Sequence, residues 1–188
     1  MDNASKVDIK GKILFFSPNE EGTSYFTDSL IYICDHNDLG SLGLIFNRPL
    51  DLELKSLLKG MEFKDVSDVI GNVYLGGPVN PGAIFILHSS EKSWKGTMKV
   101  SEDISMSTNY EAIEAIAQGN IPKDYLLTLG YTGWGPGQLH QEISDNAWIS
   151  FDGNRDLIFE VNPEDQINEM SRIVGYDIRM ISPNFGNA

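Results

Sequence analysis

The sequence predicts a single α+β domain, and three observations carry that prediction. About nine short β-rich apolar runs and about four amphipathic helical stretches are interspersed, without strict βαβ alternation and without an all-β run. No repeat, low-complexity tract or long linker divides the 188 residues, enough chain for one domain that buries roughly 70% of its unfolded surface. Hydrophobic content of 41% and charged content of 22% place the chain among globular proteins, not disordered ones. The domain is taken to run over 1–188, with 1–9 and 183–188 as flexible ends.

Taken in order, GKILFF (11–16) is the first predicted strand and Pro18 to Gly22 a loop. SLIYIC (29–34) and LGLIFN (42–47) follow, joined by DHNDLGS, which is rich in turn formers. Asn47-Arg48-Pro49 ends the third strand, because proline donates no hydrogen bond to a ladder. Asp51 is placed to cap a helix from Leu52 to Lys59, with Leu54, Leu57 and Leu58 inward and Gly60 ending it. VYLGG (73–77) and GAIFILH (82–88) are strands around a Gly-Gly-Pro turn, and TMKV and ISMS form a hairpin about Ser101-Glu102-Asp103. Thr108-x-x-Glu111 matches a capping box for a helix reaching Gln118, with Tyr110, Ile113, Ile116 and Ala117 on its buried face. WISF (148–151) and LIFEV (157–161) read as strands across the Asp152-Gly153-Asn154 turn. Asn162-Pro163 opens a last helix with Ile167, Met170, Ile173 and Val174 inward; Gly175 closes it before a final strand, YDIRMI (176–181).

The stretch that organises the chain is YLLTLGYTGWGPGQLHQEISDNAW (125–148). Its apolar run, Tyr125 to Tyr131, suits a strand buried on both faces. Gly133, Gly135 and Gly137 then alternate with Trp134 and Pro136, and Gln138 to Ser144 reads as a short helix with Pro136 at its start. Unpaired N–H groups at such a helix start can hold an anion or a carbonyl. Glycine's freedom at φ > 0 explains the same spacing as a tight turn. The spacing matches neither a dinucleotide fingerprint nor a nucleotide-triphosphate loop. On the helix, Gln138, Glu142 and Asn146 form a polar stripe beside the apolar Leu139, Ile143 and Ala147. That stripe makes Gly133, Trp134, Gly135, Gly137, Gln138, Glu142 and Asn146 candidate ligand-binding residues, with Arg48 as the best single cation for an anionic group. An ion pair with Asp51 or a carbonyl clamp is the structural alternative for Arg48.

Charge and composition exclude several function classes. The net charge is −13, divided as −3 over residues 1–100 and −10 over 101–188. Direct nucleic-acid binding needs clustered positive charge to displace counterions, and the basic residues of the second half are scattered. No run approaches the ~18 apolar residues of a membrane span. The first residues, MDNASKVDIKGK, have no apolar core of a secretory signal. One cysteine permits no internal disulfide and suits a reducing compartment, so a cytoplasmic location is expected.

Reactive chemistry has few candidates. Cys34 and His36 share a strand face about 7 Å apart by strand rise, too far for a thiol–imidazole couple unless the chain bends at Asp35. A free cysteine is more commonly a small buried apolar group. The three histidines, His36, His88 and His140, show no metal-ligand spacing, so no metal or cofactor is assigned. Glu142 has no acid or base partner at fixed spacing, and no nucleophile elbow or carboxylate pair is visible.

GYTGWGPGQLHQEISDNAW resembles the signature of the YqgE/AlgH family of bacterial proteins. SLIYICDH, GSLGLIFNRPL, VYLGGPV and GAIFILH resemble the family's other motifs in its order, and together they cover most of 10–150. The resemblance implies a bent, partly barrel-like sheet with helices outside it, and brings the family's usual label of transcriptional regulator. Asn47-Arg48-Pro49 matches the family's N-[RK]-P motif. Where the family usually has an aspartate before Phe26 and an arginine two residues after it, this chain has Thr23 and Asp28, the second a reversal of charge. The expected function is a non-enzymatic regulatory module that binds a small ligand or a protein partner; a hydrolytic or thiol enzyme using Cys34, His36 or Glu142, and a direct DNA-binding regulator, are the alternatives. Sequence does not distinguish a monomer from a homodimer.

Overall fold

The computed structural model describes residues 8–16, 24–63 and 66–181; the expected loop at 18–22, Thr23 and the outermost chain ends lie outside them. In chain order the elements are β1 (Ile13–Phe16), β2 (Leu30–Asn37), β3 (Gly40–Ile45), β4 (Pro49–Glu53), α1 (Leu54–Gly60), β5 (Asn72–Leu75) and β6 (Val79–Ser89). There follow β7 (Met98–Lys99), β8 (Ile104–Ser107), α2 (Tyr110–Ala117), β9 (Tyr125–Trp134), α3 (Gln138–Ser144), β10 (Trp148–Phe151), α4 (Arg155–Phe159) and α5 (Gln166–Val174). The ten strands of the described residues form one curled half-barrel sheet in the order β10-β1-β2-β3-β9-β6-β8-β7, with β5 beside β9 and β4 beside β5. The α+β class and bent sheet therefore stand, with five α-helices among the described residues in place of four.

β9 is the strand that curls the sheet. Its first part, Tyr125 to Tyr131, runs antiparallel to β6, and Thr128 and Leu129 pair in parallel with β5. Its last residues, Thr132 to Trp134, leave β5 and pair with Ser41 to Gly43 of β3. The change of partner occurs at Gly130, whose φ of 70 opens the strand. Here two backbones touch directly. A Cβ on Gly76 would lie 2.2 Å from the Gly130 carbonyl oxygen, and one on Gly130 would lie 2.4 Å from that of Gly77. Gly76 N–H donates to Leu129 O at 2.8 Å while its own carbonyl accepts from Ile45 N at 2.9 Å, so this residue ties β9 to the end of β3.

Alternation along the strands feeds two cores. Ile13, Phe15, Leu30, Tyr32, Leu44 and Phe46 face Leu157, Ile158 and Met170 of α4 and α5. Leu14, Ile31, Ile33 and Ile45 face the other way, beneath Trp134, Leu139 and Trp148. A third cluster joins Leu58 of α1, Val73, Ile86, Leu127 and Ile116 of α2. Ile9 is buried in the second core, so the polar lead-in ends before it. No helix among the described residues is long and apolar enough to cross a membrane.

Several local expectations are corrected. LIFEV is not a strand: Asn154 accepts from Leu157 N at 2.9 Å and starts α4, so the Asp-Gly-Asn signal marks a helix cap. YDIRMI is not a strand either; Ile178–Met180 is a 3-10 turn opened by Asp177. Short apolar runs look alike in both states, and the caps decide. Asp51 lies in β4, and α1 begins only at Leu54. The cap of α2 is Asn109, which accepts from Ala112 N at 2.9 Å, one residue past the expected box. Tyr110 and Ile173, expected inward, are exposed; Tyr110 instead stacks on Phe63 with ring centroids 5.3 Å apart.

Replacing Gly76 or Gly130 by alanine is expected to destabilise the fold by more than about 3 kcal/mol, because backbone must move on both sides. Gly82→Ala, with open space around it, should stay within about 0.5 kcal/mol. Urea denaturation of the three variants checks the contrast.

Candidate functional site

The glycine turn is closed by its own helix. Gly137 caps α3 in the left-handed conformation, φ 73, and Pro136 stands one residue earlier instead of in the first helical turn. Gly135 N–H donates to Gln138 Oε1 at 2.9 Å, so the helix's first side chain occupies a donor that an anion would use. Gln138 Nε2 donates in turn to Glu142 Oε1 at 2.8 Å. The other carboxylate oxygen, Oε2, accepts from two indoles, Trp134 Nε1 at 2.8 Å and Trp148 Nε1 at 2.7 Å. The two rings meet edge-on with centroids 5.7 Å apart, and Phe16 and Phe26 pack edge-on against Trp148. Glu142 thus fastens α3 to the ends of β9 and β10. Asn146 leaves the stripe: α3 ends at Ser144, and Asn146 lies in the turn beyond at φ 58.

Beside the turn lies an open cleft of about 440 Å³. Asp35, Asn37, Leu39, Gly40, Ser41 and Leu42 of the β2–β3 hairpin form one wall, and Val79, Tyr131, Gly133 and Trp134 the other. Gly40 makes the approach: its φ is 139, and a Cβ there would lie 2.2 Å from the Trp134 carbonyl oxygen. Of the residues singled out from sequence, Gly133 and Trp134 reach this cleft. Gln138 and Glu142 bond to each other behind it, and Arg48 is elsewhere.

Arg48 is a carbonyl clamp. Its Nη1 donates to Tyr25 O at 2.7 Å, its Nη2 donates to Thr27 O, and its guanidinium lies over the Tyr25 ring at 5.9 Å. Asn47 completes the clamp, donating to Asp28 O at 2.8 Å and accepting from Leu30 N at 2.9 Å. Asp28 sits exposed in that turn at φ 57. The Asn-Arg-Pro motif therefore holds the 25–28 turn against β2.

Cys34 and His36 do not share a face. A bulge between Ile33 and Asp35 inserts Cys34 as an extra residue and resets the alternation. Cys34 remains fully buried in the first core, where burial pushes its thiol well above the usual range. His36 emerges toward α3, its Nδ1 2.7 Å from Ser41 Oγ and its Nε2 3.1 Å from His140 Nε2. No spacing signal announces this pair, because 104 residues separate the rings and the β3–β9 register brings them together. Among the described residues, no group of three or more His, Cys, Asp or Glu is arranged to hold a metal ion.

His88 is buried in a directed chain of hydrogen bonds. Nδ1–H donates to Ser89 O at 2.9 Å, which leaves Nε2 to accept from Ser107 Oγ–H at 2.9 Å. Thr97 then donates to Ser107 at 2.8 Å while accepting from Trp94 N at 2.8 Å. A Ser–His contact of this kind resembles an activated nucleophile, but Ser107 is 1% exposed. Burial pulls the His88 imidazole below its ordinary value.

The profile of the AlgH-like family matches residues 13–179, nearly the whole described chain. This chain belongs to the AlgH-like family. A UPF0301 protein of Thioalkalivibrio sulfidiphilus is 38% identical over 178 residues, covering 94% of this chain and 95% of that one. A UPF0301 protein of Dechloromonas aromatica is 32% identical over 190 residues and covers both chains fully. The solution structure of the AlgH protein from Pseudomonas aeruginosa superposes with a TM-score of 0.77 at 30% identity over 100% of both chains. A crystal structure of a Corynebacterium diphtheriae protein shares the fold, with a TM-score of 0.67 at 21% identity over 87% of this chain and 86% of that one. In this AlgH-like chain, the signature block is the segment that carries the strand crossing, the indole-bound Glu142 and one wall of the cleft.

Two outcomes follow from these contacts. Glu142→Gln turns an acceptor of three donors into an amide that opposes one of them, at a cost of about 1–3 kcal/mol in urea denaturation. The near-UV circular dichroism of the tryptophans should change with it. For His88 the folded pKa lies below that of the unfolded imidazole, so the unfolded chain takes the proton first. Stability should therefore fall as pH drops below about 6.5. The fall between pH about 7.5 and 5.5 should be shallower in His88→Gln than in wild type, read from urea midpoints.

Proposed function

We propose that this AlgH-like protein is a non-enzymatic regulatory module that binds a small polar ligand, or a segment of a protein partner, in the cleft between the β2–β3 hairpin and β9. One observation carries the reading: Glu142, Cys34 and His88 are engaged in packing, while the cleft between the β2–β3 hairpin and β9 is open. Glu142 is bonded by two indoles and an amide, Cys34 is buried, and His88 is closed within its own chain of hydroxyls. Asp35, Asn37 and Ser41 line the cleft together with the apolar Leu39, Leu42, Val79 and Tyr131. That mixture of a few polar groups with an apolar wall is the usual chemistry of a small-molecule site. The label of transcriptional regulator fits such a module better than a direct DNA contact, because −13 net charge repels phosphate.

A thermal-shift screen of metabolites and nucleotides tests the proposal. A ligand at 100 times its Kd adds about 2.7 kcal/mol, a rise of roughly 5–10 °C for a chain of this size. Asp35→Asn and Asn37→Ala should weaken that rise, and Cys34 should resist a thiol reagent until the protein unfolds. A broad screen without a shift, together with rapid thiol modification of the folded protein, would favour the thiol enzyme instead.

A further inference from the structure

We propose that His36 and His140 form a two-histidine site for a divalent transition-metal ion of the zinc, nickel or copper type. The two Nε2 atoms face each other at 3.1 Å. Two imidazole nitrogens bound to one tetrahedral ion at ~2.0–2.1 Å lie about 3.3 Å apart. The rings cross at 78° with centroids 4.9 Å apart, less than the nitrogen separation plus two ring radii. The nitrogens therefore meet at an angle, as ligands of a shared ion do, and not end to end.

One of the two His36 tautomers suits an ion. When Ser41 Oγ accepts from His36 Nδ1–H, at 2.7 Å, the His36 Nε2 lone pair points at the partner ring. A hydroxyl behind the ligand is the outer-shell arrangement that orients metal-bound histidine. His36 stands on a strand and His140 on a helix fastened by the Glu142 indole bonds, so both ligands are presented by rigid elements. The ionisable groups on those elements are acidic, which favours a cation. Asp35 and Asp38 lie on the hairpin, where Asp35 accepts from Asn37 Nδ2. Glu142 lies on α3 and Asp145 directly after it, where Asp145 accepts from Gln141. β3 carries no charged side chain. With two protein ligands, the remaining coordination positions belong to water or to an incoming ligand.

The site adjoins the cleft, because Ser41 borders both. The test is titration of untagged full-length protein with Zn²⁺ by calorimetry and with Co²⁺ by visible absorption. Wild type should bind one ion per chain, and binding should weaken in acid, since the ligands must lose their protons. His36→Ala and His140→Ala should each lose the site while keeping the wild-type circular dichroism. Ser41→Ala keeps both ligands and should bind about tenfold more weakly. Absence of binding by wild type, or binding kept when either histidine is removed, would overturn the proposal. Either result leaves the cleft reading standing, because that rests on a different assay.

Discussion

Where Gly76 and Gly77 cross Gly130 and Tyr131, two backbones meet with no side chain between them, and the shape of the sheet depends on that contact. Strands normally lie side by side through hydrogen bonds while side chains keep the faces apart. Removing the Cβ at this point lets the Gly-Gly-Pro turn press onto β9 and lets Gly130 adopt a left-handed φ of 70. β9 can then finish its pairing with β5 and begin pairing with β3 within a few residues. The half-barrel curl, the position of α3 and the cleft beside Trp134 follow from that change of partner.

Downstream of the crossing, a carboxylate does the work that a hydrophobic side chain does elsewhere. α3 has only seven residues, too few to be stable alone. It is held by Leu139 in the core and by Glu142, whose oxygens take up the N–H groups of two tryptophans and an amide. Hydrogen bonds to a charged acceptor contribute about 1.5–3 kcal/mol each, and buried indoles need an acceptor in any case. The same logic makes His88 structural: a serine and a backbone carbonyl satisfy both ring nitrogens in a site closed to solvent. Residue types that suggest catalysis can therefore be the polar fasteners of a core, and their partners tell the two roles apart.

How much was legible in the chain varied with the range of the interactions involved. The β9 run is readable because Tyr125 to Tyr131 holds five apolar residues broken only by Thr128 and Gly130, a composition that demands burial on both faces. α2 was readable from its periodicity, although its cap moved from Thr108 to Asn109, since either side chain can accept from the first turn. LIFEV reads as a strand because four apolar residues carry no period, and only the Asn154 bond to Leu157 N decides for a helix. The bulge at Cys34 was invisible to pattern reasoning, yet it moves His36 to the opposite face and brings it to His140.

By itself, then, the sequence determined the α+β class, the apolar strands, most helix positions and the acidity that disfavours nucleic acid, for these depend on local order and on sums. It also held the family motifs, which place the strand, the glycine turn and the helix in their order. Tertiary structure alone decided which side chains meet: Glu142 with two indoles, Arg48 with two carbonyls, His36 with His140. Those meetings depend on strand register, on one extra residue in β2 and on the contact of Gly76 and Gly77 with Gly130. Each is a long-range geometric condition that leaves no periodic trace along the chain.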